Sequence, residues 1–251
     1  MTADSSLIRE RFRRQARAFA RSPFQRDPDR LKRLIRFLDL RPAARILDVA
    51  CGPGIVTAAL ARGGYEAIGI DLTDAMVKQA GTDDGCRYVV GDAMRLPFRA
   101  GGFDRVVCRN SFHHFQDPLT ATRQMAEVVR PGGSVVVEDM RAPDDAAQRD
   151  YHETVERLRD RAHVRTLTRM EIVSILGSAG LAIDQEEPLQ PILDLEEWME
   201  RAYPAAEDGA RARAMMAACI EEDLIGHAVW REDGRLKFRR RSIMIRALRP
   251  A

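Results

Sequence analysis

The sequence Asp48-Val-Ala-Cys-Gly-Pro-Gly54 joins a predicted β-strand, Arg45–Val49, to a predicted helix, Ile55–Arg62. Gly52 and Gly54 have no Cβ atom, so a ligand could approach the backbone of this turn closely. The free N–H groups at the start of the helix would point toward such a ligand. A strand, a glycine turn and a helix in this order indicate a nucleotide-binding site.

Predicted strands and helices alternate after this turn. Six further apolar segments have the composition of strands: residues 66–71, 86–90, 103–108, 134–138, 181–185 and 236–248. Helices are predicted between them at residues 73–80, 118–129 and 168–179. Short buried strands that alternate with helices are typical of a doubly wound, mostly parallel sheet. We therefore predict an α/β fold with a seven-stranded, mostly parallel sheet.

Helical segments surround this alternating core. Within one domain, residues 1–251, we predict three parts: an N-terminal helical lid at 1–40, a nucleotide-binding core at 45–139, and a helical cap inserted at 140–167 and 192–226. The second lid helix carries Leu31, Leu34, Ile35 and Leu38 on one face, a spacing that indicates packing against the core.

Composition excludes several classes of protein. Hydrophobic residues make up 45% of the chain and charged residues 31%, which is normal for a globular domain. No apolar run approaches the roughly 20 residues of a membrane span, and residues 1–10 lack the apolar segment of a signal peptide. The four cysteines lack the spacing of a metal knuckle. We therefore expect reduced thiols, no metal site and a cytoplasmic location.

Basic charge is concentrated near the N-terminus. Residues 1–45 contain 13 Lys or Arg against 5 Asp or Glu, whereas the whole chain has a net charge of +2. A solvated basic helix packed on an acidic body would explain this pattern. A functional explanation is a lid over an anionic substrate, which Phe12, Phe19 and Phe24 among the arginines would suit, or a patch for nucleic acid or anionic lipid. Nucleic acid is the weaker option, because no recognition motif accompanies the charge.

The residues around the glycine turn discriminate between nucleotides. Dinucleotide-binding turns have the pattern G-x-G-x-x-G/A, but Thr57 stands at the third small position here. An acidic residue, Asp48, lies instead four residues before Gly52, inside the end of the first strand. The combination acid-x-x-x-Gly-x-Gly resembles the first motif of the class I methyltransferases that depend on S-adenosylmethionine (SAM).

Three further segments strengthen this resemblance. Asp71 ends the second strand, Val90-Gly-Asp-Ala93 follows the third, and Val129-Arg-Pro-Gly-Gly133 precedes the fifth. In the family, the first of these acids accepts both ribose hydroxyls, and an acid at the position of Asp92 accepts from the adenine amino group. More narrowly, residues 45–181 are similar to the ubiquinone/menaquinone-biosynthesis C-methyltransferases.

The resemblance implies a set of cofactor-binding residues at the ends of four strands. They are Asp48, Ala50, Gly52, Gly54, Asp71, Leu72, Met76, Asp92, Ala93, Arg109, Asn110 and His114. Arg109 and Asn110 are expected near the methionine part of SAM. Asp48 has a structural alternative, which is to hold the glycine turn.

Methyl transfer from SAM requires mainly alignment, because the sulfur departs as a neutral group. A general base is needed only when the acceptor is protonated at working pH. His113 and His114 are the base candidates, since a neutral imidazole is available near pH 7. His163 of the cap is a further catalytic candidate, able to bind an acidic or phenolic substrate. Structurally, His114 could instead pack on the cofactor, and His163 could form a surface ion pair with Asp160 or Glu156.

Three functions remain open at this point. The first is SAM-dependent methyl transfer to a small molecule, at carbon or at a phenolic oxygen. The second is a SAM-binding protein that transfers no methyl group. The third, an RNA or DNA methyltransferase, is disfavoured because Arg109-Asn-Ser-Phe112 stands where amino-methylating nucleic acid enzymes carry an Asn/Asp-Pro-Pro-aromatic motif.

Overall fold

The structure is a computed structural model that describes residues 5–81 and 86–251. Over these ranges the strands are β1 (Arg45–Val49), β2 (Glu66–Asp71), β3 (Arg87–Val90), β4 (Phe103–Arg109), β5 (Val129–Met140), β6 (Ala182–Leu189), β7 (Ile192–Asp194), β8 (Val229–Glu232), β9 (Arg235–Arg239) and β10 (Ser242–Leu248).

The helices in the same ranges are α1 (Ser5–Arg21), α2 (Pro23–Arg26), α3 (Pro28–Phe37), α4 (Ile55–Arg62), α5 (Asp74–Val77), α6 (Pro118–Val128), α7 (Ala146–Arg159), α8 (Arg169–Ser178), α9 (Leu195–Glu200) and α10 (Ala206–Ala218). A short 3-10 helix covers Phe112–His114. None of the described helices has the length and apolar character that crossing a membrane requires.

Seven strands form the main sheet in the order β3-β2-β1-β4-β5-β10-β6. Strands β1 to β5 are parallel, whereas β10 pairs antiparallel with both β5 and β6. The predicted doubly wound, mostly parallel seven-stranded sheet is confirmed. The chain winds outward from β1 to β3 on one side and from β4 to β5 on the other. The carboxyl ends of β1 and β4 therefore flank the switch point, where open α/β sheets bind ligands.

Helices bury both faces of this sheet, as its apolar strands require. Leu47 and Val106 belong to an apolar cluster that includes side chains of α6 and α8. Their sequence neighbours, Ile46 and Val107, belong to a second cluster with side chains of α3 and α4. Successive strand residues point to opposite faces, so each strand is packed from both sides. The strand ends are thereby fixed in position.

The C-terminal segment departs from prediction. A single long strand at residues 236–248 is wrong, because this segment forms β9 and β10 in two different sheets. β9 pairs with β7 and β8 in a small antiparallel sheet that the sequence pattern does not reveal. The break falls at Arg240, whose backbone N–H donates to the Pro191 carbonyl and whose Nη2 donates to Asn110 Oδ1. Contacts with residues that are distant in sequence therefore accompany the end of β9.

The lid packs against the cap. Phe24 of α2 lies in a third apolar cluster with Val155 of α7 and Trp198 of α9. Gln15, fully buried on α1, donates from Nε2 to Asp160 Oδ1 at 3.2 Å. The helices α1 and α2 thus pack against the segments around α7 and α9, and the roles of these parts as lid and cap stay predictions.

Candidate functional site

A cleft opens at the carboxyl ends of the parallel strands. Its polar wall consists of residues at the carboxyl ends of β1, β2 and β4 and of residues that follow β1, β2, β3 and β4. Its opposite wall includes Ile8, Phe12 and Phe19 of α1. The cleft is therefore placed at the switch point and covered by the lid.

The cleft brings together all but one of the residues predicted to bind the cofactor. Those on its wall are Asp48, Ala50, Gly52, Asp71, Leu72, Met76, Asp92, Ala93, Arg109, Asn110 and His114. Gly54 lies outside the lining. The convergence follows from the parallel sheet, which aligns the carboxyl ends of neighbouring strands. The cofactor roles of these residues stay predictions.

The two glycines of the turn serve different purposes. Gly52 has φ +54°, and among the described residues a Cβ atom added there would contact only the Met76 sulfur, at 4.0 Å, so its backbone faces open space. Gly54 has φ +73°, and an added Cβ would lie 2.5 Å from the Tyr88 phenol oxygen. Gly52 thus leaves room for a ligand, whereas Gly54 is required by backbone conformation and by packing against Tyr88.

Asp48 holds the start of α4. Its Oδ2 accepts from the Thr57 backbone N–H at 3.1 Å and from the Thr57 hydroxyl at 2.7 Å. Gly54, the N-cap residue of α4, has no side chain for this purpose, so a carboxylate from β1 supplies the cap. Burial raises the pKa of Asp48 to about 7, against the opposing effect of the Thr57 hydrogen bonds. The structural role considered for Asp48 is thus present, and Asp48 also lines the cleft.

Asp71 is oriented by two backbone groups. Its Oδ2 accepts from Gly52 N–H and its Oδ1 accepts from Thr73 N–H, both at 2.8 Å. Burial raises the pKa of Asp71, although these hydrogen bonds favour the ionised form. Each carboxylate oxygen has more than one acceptor site, so both can still accept from a diol in the cleft.

His114 lines the cleft beneath the lid. Its Nδ1 lies 2.9 Å from the Ala162 carbonyl oxygen, which can only accept, so Nδ1 carries the proton and Nε2 carries the lone pair. The Phe12 ring packs edge-on against it, with centroids 4.8 Å apart. Burial, followed by the neighbouring His113, lowers the pKa of His114 to about 3. His114 is therefore neutral at physiological pH but a weak base.

His113 and His163 lie outside the cleft lining. His113 Nδ1 is 2.7 Å from Asp139 Oδ1. Burial alone would raise the pKa of Asp139, but the contact with His113 holds it below its usual value. His163 is buried, and its Nε2 lies 3.3 Å from each carboxylate oxygen of Glu153. The surface pairing considered with Asp160 or Glu156 is therefore wrong. The catalytic roles of His113 and His163 stay predictions.

Gln25 of the lid is a cleft residue that no sequence pattern indicates. Its side-chain Oε1 accepts from Asn110 Nδ2 at 3.3 Å, and its carbonyl accepts from Arg109 Nη1 at 3.1 Å. These partners are 84 and 85 residues away in sequence, so only the folded chain reveals the contact.

Comparisons with known proteins agree with this geometry. A family model described as a methyltransferase domain matches residues 47–137. The uncharacterized methyltransferase YcgJ of Bacillus subtilis is 29% identical over 180 residues, covering 69% of this chain and 71% of YcgJ. A demethylmenaquinone methyltransferase of Corynebacterium glutamicum is 35% identical over 112 residues, covering 45% of this chain and 48% of that protein. The match thus spans about half the length of this second relative.

Solved structures extend the similarity beyond the matched segment. The structure of YcgJ has a TM-score of 0.80 at 25% identity, covering 88% of this chain and 98% of YcgJ. A structure from Bacillus halodurans has a TM-score of 0.79 at 27% identity, covering 88% of this chain and 99% of the other. The resemblance predicted from the sequence is confirmed. Residues 47–137 match a methyltransferase domain, and the fold over 88% of the chain is similar to that of these solved structures.

Proposed function

We propose that the protein transfers a methyl group from SAM to a small-molecule acceptor, at a carbon or at a phenolic oxygen. One observation carries this proposal: Gly52, Asp71 and Asp92 line the same cleft as Phe12 and Phe19 of the lid. The polar wall suits a nucleoside, and the aromatic wall suits a flat organic acceptor. The name of one relative, demethylmenaquinone methyltransferase, supports an aromatic acceptor as the first class to examine.

Two features of the polar wall fit SAM. The backbone at Gly52 is open to the cleft, because the Met76 sulfur is the one atom within 4 Å of an added Cβ in the described part of the chain, apart from the adjoining residues. The Asp71 carboxylate is fixed by Gly52 and Thr73 and retains acceptor sites for ribose hydroxyls. The protein itself holds both groups in position, so a ligand that binds need not order them at a further cost in entropy.

The chain's own residues would align and shield the reactants. When bound, SAM supplies an electrophilic methyl group with a neutral leaving group. Phe12 and Phe19 would exclude water from the apolar side of the cleft, and proximity would provide most of the acceleration. His114 Nε2 can accept a hydrogen bond from an acceptor hydroxyl. Its low pKa makes it better suited to orienting that hydroxyl than to removing the proton.

Nucleic acid methylation gains no support from the lid. In the described part of α1, the side chains on the cleft wall are Ile8, Phe12 and Phe19, and no arginine is among them. Arg13 instead pairs with Asp74 outside the lining. The arginines of the described part of α1 therefore lie outside the cleft lining.

Calorimetry with SAM tests the cofactor assignment, and Asp71→Ala is the first variant. We expect SAM to bind the wild type and to bind Asp71→Ala at least about tenfold more weakly, since hydrogen bonds to a buried charge are lost. Asp74→Asn is the matched control, because Asp74 lies three residues on but outside the cleft lining.

Two results would contradict the proposal. Absence of SAM binding at high micromolar concentration would exclude the cofactor. Binding without transfer of a labelled methyl group to any of a panel of phenols and quinols would favour a SAM-binding protein that does not transfer methyl.

A further inference from the structure

The outer face of α1 carries a row of arginines. Residues three or four apart lie on the same face of a helix. Five arginines of α1 have this spacing and are exposed, and together they are called the arginine row: Arg9, Arg13, Arg14, Arg17 and Arg21. Within the described span of α1, Ser5–Arg21, the single acidic residue is Glu10. This face of the helix is therefore strongly basic.

Little of this charge is balanced within the protein. Arg13 pairs with Asp74 at 3.2 Å, where the two side chains are 58% and 40% exposed. The side chains of the other four arginines have neither a hydrogen bond nor an ion pair among residues 5–81 and 86–251. Glu200 borders the same surface groove as Arg21. Together with Glu10 it still leaves an excess of positive charge, which is available to a partner.

The opposite face of α1 is apolar. Ile8, Phe12 and Phe19 line the cleft, and Ala16 is buried beside them. A helix with an arginine-rich face and an apolar face that carries phenylalanine is typical of helices that lie at the surface of a bilayer. We propose that α1 docks on an anionic lipid bilayer through the arginine row. This inference goes beyond the proposed methyl transfer and does not rest on it.

A bilayer fits the arginine row better than a nucleic acid does. A nucleic acid bound to this face would be separated from the cleft by α1 itself, which is about 10 Å across. An enzyme that modifies a base must bring that base into its active site. Proteins that bind single strands also stack bases on aromatic side chains. The aromatic residues of the described part of α1, Phe12 and Phe19, face the cleft instead.

A lipid surface requires only that positive charge face its headgroups. Each arginine near an anionic surface strengthens binding by about fivefold at moderate salt. Because the other face of α1 lines the cleft, headgroups bound to the arginine row would lie one helix diameter from it. An apolar acceptor dissolved in the bilayer would then have a short path to the aromatic wall of the cleft.

Co-sedimentation of the full chain with lipid vesicles tests the docking. The probes are vesicles of phosphatidylcholine alone and vesicles of phosphatidylcholine and phosphatidylglycerol at about 2:1. We expect binding to the mixed vesicles only, at about 0.1 M salt, and its loss at about 1 M salt, where charges are screened. The triple variant Arg9→Gln, Arg14→Gln, Arg17→Gln should bind the mixed vesicles about 100-fold more weakly, because three basic charges are removed.

The triple variant Arg99→Gln, Arg123→Gln, Arg211→Gln is the matched control. These arginines are also exposed, but they lie before β4, in α6 and in α10. The same change in net charge should therefore alter binding to the mixed vesicles by less than about twofold. Thermal unfolding verifies that both variants are folded. Both should keep the wild-type affinity for SAM, because the six substituted residues lie outside the cleft lining.

Three outcomes would overturn the docking. The first is no binding of the wild type to the mixed vesicles at about 0.1 M salt. The second is equal weakening in the two triple variants, which would mean that net charge, and not the arginine row, attracts the lipid. The third is binding of tRNA or duplex DNA through the arginine row without binding of vesicles. Vesicle binding is measured without SAM, so failure of the docking is distinguishable from failure of the proposed function.

Discussion

The two walls of the cleft are built from contacts of different range. On the strand-end wall, Asp48 binds Thr57, nine residues away, and Asp71 binds the turn of the adjacent strand. On the lid wall, Gln25 binds Asn110 and Gln15 binds Asp160, which are 85 and 145 residues away. Short-range contacts form a wall that is complete without a ligand. Long-range contacts make the lid wall depend on the packing of the whole molecule.

The largest effect is expected from Gly54→Ala on the strand-end wall. The added methyl group would lie 2.5 Å from the Tyr88 phenol oxygen, at a residue with φ +73°. We expect the free energy of unfolding to fall by about 2–4 kcal/mol, measured by urea denaturation. Gly64→Ala is the control, because Gly64 has φ +84° but no atom of residues 5–81 and 86–251 beyond its chain neighbours lies within 4 Å of an added Cβ, and it should lose only about 1 kcal/mol. Equal losses would mean that contact with Tyr88 does not matter.

An intermediate effect is expected from His114→Phe, beneath the lid wall. The pKa of His114 is about 3 in the folded chain, against 6.5 ordinarily. Below pH 6.5 the unfolded chain therefore binds a proton that the folded chain does not, and stability falls as pH falls toward 3. Between pH 7.5 and pH 5 the wild type should lose about 2 kcal/mol from this group. His114→Phe should lack that loss in urea denaturation at the two pH values.

Asp48, on the strand-end wall, should make stability depend on pH in the opposite direction to His114. Its pKa is raised to about 7, so the folded chain retains a proton that the unfolded chain releases near pH 4. The stability from this group is present below pH 4 and is lost as pH rises to 7. Asp48→Asn should remove that decline. An unchanged pH dependence in both variants would mean that neither burial effect operates.

The smallest effect is expected from Arg13→Ala, at the outer edge of the lid. Arg13 pairs with Asp74 at 3.2 Å, but their side chains are 58% and 40% exposed. Solvent and salt screen such pairs, so SAM affinity at 0.15 M salt should change by less than about twofold. Phe12→Ala should cause a larger loss, because Phe12 lines the cleft. The reverse order would show that charge, rather than apolar packing, holds the lid closed.

Sequence patterns predicted local elements well. The helix predicted at residues 168–179 is present as α8, and a capping box begins it, with the Thr168 hydroxyl accepting from Glu171 N–H. Such signals involve residues within one turn of a helix, so tertiary packing seldom overrides them. The prediction of one strand at residues 236–248 was wrong for the opposite reason. The break at Arg240 depends on hydrogen bonds to Pro191 and Asn110, which are distant in sequence.

The sequence alone determined the α/β sheet and the residues of the strand-end wall. Both follow from periodicity and from short motifs, because parallel strands place their carboxyl ends at one edge. Only the tertiary structure decided what faces that wall. The position of Gln25 and the sharing of Glu138 by Arg30 and Arg109 join distant segments. Their partners are chosen by packing, which no local pattern encodes.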